Sequence, residues 1–190
     1  MMDFAEEHDL VIQATAYMFP PLRKDKTKIG QNNRFNAEDA ALYGAYISAY
    51  SNGFDRFKDY IESGQLALYD ADDDCGVVEG DHMRCRAGIT SFWMTWEGKM
   101  LPCGMIPDSG KDPWEVGFDE AWENAKNIVN EIKLPVKCAG CGKKDECRAC
   151  AAMVYTETGT YDKVPQYRCE MTKNYPEACK KVLKELEQQL

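Results

Sequence analysis

The chain lacks most of what would tie it to a membrane, a nucleic acid or a familiar hydrolase. No stretch approaches the roughly eighteen consecutive apolar residues that a membrane-crossing helix needs. The opening segment, MMDFAEEHDLVIQATAYMF, is acidic before it is apolar and has neither a basic region nor a small-residue cleavage site, so it does not read as a secretory signal. Positive charge is in deficit: 23 Lys and Arg stand against 32 Asp and Glu, a net charge of −9. A nucleic-acid partner, whose phosphates must be neutralised, is therefore not expected, and an anionic membrane surface is disfavoured as well. Only two histidines occur, His8 and His82, with a surface or hydrogen-bonded role as the default for each. No Ser-His-Asp set, H-E-x-x-H motif, P-loop, internal repeat or low-complexity tract is present.

What remains is an ordinary composition with one exceptional component. The 190 residues suffice for one core, or one core plus a small metal-organised lobe, and 44% hydrophobic with 29% charged residues is usual for a soluble protein. Nine cysteines stand out: Cys75, Cys85, Cys103, Cys138, Cys141, Cys147, Cys150, Cys169 and Cys179. The number is odd and no export signal precedes them, so a secreted disulfide scaffold is a poor reading. A reducing, cytoplasmic setting in which dense thiols bind metal fits better. The acidic run Asp70, Asp72, Asp73 and Asp74 reads as a solvated loop near Cys75.

Local signals predict a mixed α+β chain. Residues 1–9 read as a helix end and Leu10 to Ala16 as a buried strand, stopped by Pro20 and Pro21. Asn36 reads as an N-cap with Asp39 at the third helical position, followed by Ala40, Leu42, Tyr43, Tyr46, Ile47 and Tyr50; Asn52-Gly53 interrupts, and a second helix follows from Phe54 to Glu62. Ile89 to Trp96, the Glu97-Gly98 turn and Lys99 to Cys103 predict a hairpin in which Gly98 takes positive φ. Asp112-Pro113-Trp114-Glu115 is a helix start, leading into Phe118, Trp122, Ala125, Val129 and Ile132 at helical spacing. Pro176 is expected to begin a C-terminal helix with Cys179, Val182, Leu183, Leu186 and Leu190 as its stripe.

The cysteine pattern runs Cys85, twelve residues, Gly98, four residues, Cys103, and after a gap C-x2-C-x5-C-x2-C from Cys138 to Cys150, then Cys169. The hairpin returns Cys103 toward Cys85, and the dense second half is too rich in Gly, Lys and Cys to order itself without ligand bonds. Soft sulfur donors suit zinc or iron–sulfur clusters, and spacing alone leaves both open.

CRAGITSFWMTWEGKMLPC, CAGCGKKDECRACAA and YDKVPQYRCEMT resemble the seven-cysteine signature of the SPASM domain, the auxiliary C-terminal domain of radical S-adenosylmethionine (SAM) peptide and protein maturases. The resemblance covers about residues 75 to 175 and departs in one spacing, Cys147 to Cys150, which has two intervening residues where the family has three. It implies two 4Fe–4S clusters with interleaved ligands: Cys85, Cys103 and Cys150 for the first, and Cys138, Cys141, Cys147 and Cys169 for the second. Cys75 is then the candidate fourth ligand of the first cluster, with His82 or Asp81 as substitutes; zinc is a possible occupant in protein prepared in air. FAEEHDLVIQATAYMFPP resembles the end of a radical SAM barrel, whereas the C-x3-C-x2-C motif that holds the SAM-binding cluster is absent from the sequence.

The organisation implied is a barrel remnant with linking helices over 1–70, a SPASM lobe over 71–175 and a C-terminal helix over 176–190. The function implied is electron transfer and substrate docking within a radical SAM oxidoreductase, inactive alone. Its partners would be a peptide or protein substrate and either the missing radical SAM portion or an electron donor such as a ferredoxin or flavodoxin. Where the sulfatase-maturing branch has an acidic residue after the hairpin cysteine, this chain has Gly104, which points away from serine or cysteine oxidation. The competing readings are a zinc-binding structural or interaction module, and a binding protein with reduced thiols. Cys179 is assigned to the core, as are Phe92, Trp93, Met94 and Trp96 of the hairpin; burial is the expectation for Tyr17, Met18 and Phe19 too.

Overall fold

The computed structural model describes residues 2–10, 12, 14–20, 25–31, 33–64, 85–106, 110–147 and 149–189. Cys75, Asp81, His82 and the Asp70–Asp74 run lie outside them. The architecture is α+β. In order come α1 (Met2–Glu7), α2 (Ala37–Asn52), α3 (Phe54–Glu62), β1 (Trp93–Met94), β2 (Met100–Leu101), α4 (Pro113–Val116), α5 (Phe118–Glu131), α6 (Val136–Ala139), α7 (Lys144–Cys147), α8 (Ala151–Thr158) and α9 (Gln166–Glu187). Among the described residues no helix is long and apolar enough to cross a membrane.

Helix α2 starts where the sequence predicts. The Asn36 side chain accepts from the Asp39 amide at 2.8 Å and its amide donates back to the Asp39 carboxylate, a cap that contributes about 1 kcal/mol. Gly53, at φ +80°, ends α2 and opens α3, a conformation that costs a residue with a Cβ more than it costs glycine. The buried face of α2 is made mostly of alanine. It consists of Ala37, Ala40, Ala41, Ala45, Ser48 and Ala49, while Tyr43 and Tyr50 point out. Small side chains let α9 approach closely, so the bulk filling this core comes from Met171, Tyr175, Cys179 and Val182 of α9, with Phe57 of α3.

Two expectations fail here. Helix α9 begins at Gln166, not at Pro176, which lies inside it. An internal proline costs about 3 kcal/mol; Met171 and Tyr175 before it and Cys179 and Val182 after it form one buried stripe that offsets this cost. Consequently Cys169 rides on the first turn of the longest helix. The segment Leu10 to Ala16 forms no strand among the described residues. Leu10 is exposed, and Ala16 and Tyr17 at its end reach the core. Backbone groups of an extended segment need a paired ladder, and among the described residues none lies beside it.

The hairpin is present but short. Trp93 faces Leu101 and Met94 faces Met100. The Gly98 amide donates to the Thr95 carbonyl at 3.0 Å and the Thr95 amide to the Lys99 carbonyl at 2.9 Å. Gly98 takes φ +80° as expected, which makes a type I turn closed by a glycine bulge. Asp112 caps α4 through the Trp114 amide at 2.9 Å with Pro113 in the first turn, and Gly117 separates α4 from α5. Helix α5 presents Ala121, Ala125 and Val129 inward. Val129 joins Ala87, Ile106, Ile132 and Ala151 in a second, smaller core.

Candidate metal centre

The second core positions three of the thiols. Cys85 and Cys103 pack at its edge, Cys85 just before the bridge of Ala87 to Ser91 and Cys103 just after β2. Cys150 is the N-cap of α8, its sulfur accepting from the Met153 amide at 3.5 Å. Cys85 accepts from the Ala87 amide at 3.4 Å and Cys103 from the Met105 amide at 3.5 Å. Burial pushes the Cys150 thiol up; the amides of Met153 and Ala152 oppose this, and the neighbouring Cys85 and Cys103 add to it.

Four other thiols form a separate neighbourhood. Cys138 lies in α6, and the Cys141 amide folds back onto the Cys138 carbonyl at 3.2 Å. Cys147 ends α7 and Cys169 enters from α9. The Cys141 sulfur accepts from the Lys143 amide at 3.4 Å. The Cys138 thiol is pushed up first by burial and then by the charges of Cys147, Cys169 and Cys141. The electrostatic neighbours of Cys138 and of Cys150 are thus two sets with no member in common.

Sulfur atoms that raise one another's pKa make an unfavourable cluster of anions until a cation is placed among them, and metal binding reverses the shift by displacing protons. The donor chemistry fits an iron–sulfur group: soft thiolates on short backbone turns, four of them accepting amide hydrogen bonds. Among the described residues no group of three or more His, Cys, Asp or Glu side chains is gathered closely enough to hold a single ion.

The remaining sequence-predicted positions divide. Cys179 is buried at 1% exposure in the α2–α9 core, as assigned, and burial pushes its thiol up to about 11. Cys75 lies outside the described residues. The hairpin aromatics are not core: Phe92, Trp93, Met94 and Trp96 are all exposed, Trp96 at 91%. The contrast is between the strands and not between the faces of the hairpin: both residues of β2, Met100 and Leu101, are buried, and both residues of β1 are exposed. Phe92 stacks edge-on against Phe118 and Trp122 of α5. The Trp93 indole lies over Gly104, where a Cβ would come within 2.9 Å of the ring. Glycine after Cys103 thus has a packing reason. Tyr17 is buried as expected, but Met18 and Phe19 are exposed.

Sequence reasoning missed a buried polar seam. Arg34 pairs with Glu157 at 3.4 Å, both side chains 6% exposed, and donates to the Met18 carbonyl at 2.8 Å. Its guanidinium lies 3.5 Å from the Tyr167 ring centroid. The Tyr17 hydroxyl donates to Glu157, and burial followed by that carboxylate pushes the Tyr17 pKa far up. One step along, buried Arg168 donates from Nε to the Cys147 carbonyl at 2.8 Å, and from Nη2 to the same oxygen. The signal in the sequence was an Arg directly before a candidate ligand cysteine, which spacing rules do not read.

Comparison with known proteins gives one partial relative. The chain is 34% identical over 80 residues to the AdoMet-dependent heme synthase of Methanosarcina barkeri (strain Fusaro / DSM 804), a match covering 40% of this chain and 23% of that protein. The chain therefore spans about a quarter of the relative's length. No family model matches, and no solved structure does. The similarity supports a radical SAM-related relationship.

Proposed function

We propose that this chain binds two auxiliary 4Fe–4S clusters as the SPASM-type part of a radical SAM enzyme that modifies a peptide or protein. The observation that carries the reading is the division of seven thiols into two electrostatic neighbourhoods, Cys85, Cys103 and Cys150 against Cys138, Cys141, Cys147 and Cys169. The same division follows from the family resemblance, and the partial similarity to an AdoMet-dependent enzyme supports the radical SAM-related part of the reading.

When bound, such clusters accept and pass on single electrons. The residues of this chain set the conditions. The amides of Ala87, Met105, Lys143 and Met153 point at sulfur and stabilise negative charge there. The core of Ala87, Ile106, Val129, Ile132 and Ala151 shields one side of the first set from water. Half-exposed Trp93 lies over Gly104, the residue that follows Cys103, and offers an aromatic surface to a substrate or electron partner of the first set. Cys75 is the proposed fourth ligand there. A second reading, favoured by the name of the relative, keeps the same clusters and replaces the peptide by a heme precursor.

Metal and sulfide analysis of protein purified without oxygen tests the proposal. About eight irons and eight sulfides per chain, with brown colour, are expected for two 4Fe–4S clusters. A colourless protein with stoichiometric zinc contradicts it. Competition binding of a basic or neutral peptide panel against a heme precursor separates the two substrate readings.

A further inference from the structure

We propose that Arg168 is a positioning residue for the second thiol set, orienting Cys147 and setting the reduction potential of what that set holds; this rests on the two-cluster reading above. Helix α7 is a single turn of four residues, Lys144–Cys147, too short to hold its own geometry. Its last carbonyl, on Cys147, has no later turn to donate to it, as at any helix end. Arg168 supplies the donors. Its Nε reaches that oxygen at 2.8 Å and its Nη2 reaches it as well, across 21 positions of sequence.

Three features make this more than a surface contact. Arg168 is 9% exposed, so its charge acts at low dielectric. It directly precedes Cys169, so one turn of α9 delivers a ligand and the clamp for another ligand. Its remaining groups are also occupied: Nη1 contacts the Met171 sulfur at 3.5 Å, and the guanidinium lies 5.9 Å from the Tyr17 ring centroid. The long helix anchored in the α2–α9 core thereby fixes the backbone of an otherwise unsupported thiol loop. A fixed positive charge beside one set of thiolates favours the form carrying the extra electron, at that set and not at the other.

The test uses the full chain, reconstituted without oxygen, as wild type, Arg168→Gln and Arg168→Lys, with iron content and EPR-monitored redox titration as readouts. In R168Q one of the two midpoints is expected to move negative by about tenfold in the reduced-to-oxidised ratio, about 59 mV for one electron, while the other stays. R168K, which keeps the charge but not the two-pronged donation, is expected to recover the midpoint and retain an altered EPR line shape. Loss of half the iron in R168Q with helical content intact is the stronger form of the same outcome. Should R168Q lose all iron and unfold, R168K decides: a changed line shape supports the proposal and a wild-type spectrum overturns it. Unchanged midpoints and spectra in both variants overturn it, as does an equal shift of both midpoints. Failure of the underlying reading looks different, because wild type itself would then lack iron; with zinc bound instead, unchanged zinc stoichiometry and unchanged release to a chelator in R168Q overturn the Arg168 claim separately.

Discussion

The two halves of this molecule are held together by different physics. Around α2 and α9 the chain buries an alanine face against Met171, Tyr175, Cys179 and Val182, with Phe57 closing the end. Around the thiols the core is Ala87, Ile106, Val129, Ile132 and Ala151, and the loops between are one-turn helices and turns. The first region needs nothing but its own side chains. The second has little apolar area to offset the ordering of its backbone, which is of the order of 1–2 kcal/mol per residue, and the proposed ligand bonds would supply the difference. Between them runs the seam of Tyr17, Arg34, Glu157, Tyr167 and Arg168.

Metal removal should break this contrast open most widely. Structural metal sites can contribute about 10 kcal/mol or more to folding. Stripping with a strong chelator is therefore expected to erase amide-exchange protection across 138–150 while α2 and the second half of α9 keep theirs. Uniform loss in both regions would contradict the division.

Glu157→Ala comes next. Removing one partner of a buried pair costs about 3–5 kcal/mol, and here it also strands the Tyr17 hydroxyl. Denaturant titration should show a lower midpoint reported by probes in both regions, because the seam belongs to both. Ala41→Leu sharpens the comparison from the other side. Overpacking the α2 face should cost about 1–3 kcal/mol and leave metal stoichiometry at the wild-type value. A variant that lost metal in proportion to stability would tie the two regions more closely than their packing suggests.

The smallest effect is on pH. The Cys138 and Cys150 thiols are raised in the folded, metal-free chain, by burial and then by their neighbours. A raised thiol pKa favours the neutral form, so this contribution to stability is complete below the ordinary thiol value, about 8.5, and is lost as pH rises through the folded value. Metal-free protein should lose stability above about pH 8.5. Metal uptake has the opposite sign, since it displaces protons and tightens as pH rises. Denaturant melts of the metal-free chain at neutral and alkaline pH, beside metal titrations at the same values, check both directions.

Local chemistry was legible in the sequence. Asn36 and Asp112 as caps, the break at Gly53, the turn at Gly98 and the buried Ala125, Val129 and Ile132 each depend on residues within a few positions of one another, although Phe118, expected on the same stripe, is exposed. What could not be read depends on distant partners. The alanine face of α2 is an interior only because α9 covers it, and α9 runs through Pro176 only because that packing offsets the cost. The hairpin aromatics carried every local mark of core residues and are exposed, since among the described residues no element covers β1. Glu157 and Tyr17 lie 140 positions apart, and no spacing pattern announces such a pair. The cysteine run was conspicuous as a pattern, but its division into two sets came from the resemblance and not from spacing.

That division is the central claim, and paired substitutions test it most directly. Cys85→Ser with Cys150→Ser, and separately Cys138→Ser with Cys169→Ser, are each expected to leave about four of about eight irons, with complementary EPR signals that sum to the wild-type spectrum. A pair that removes all the iron, or none, would contradict the two-set account.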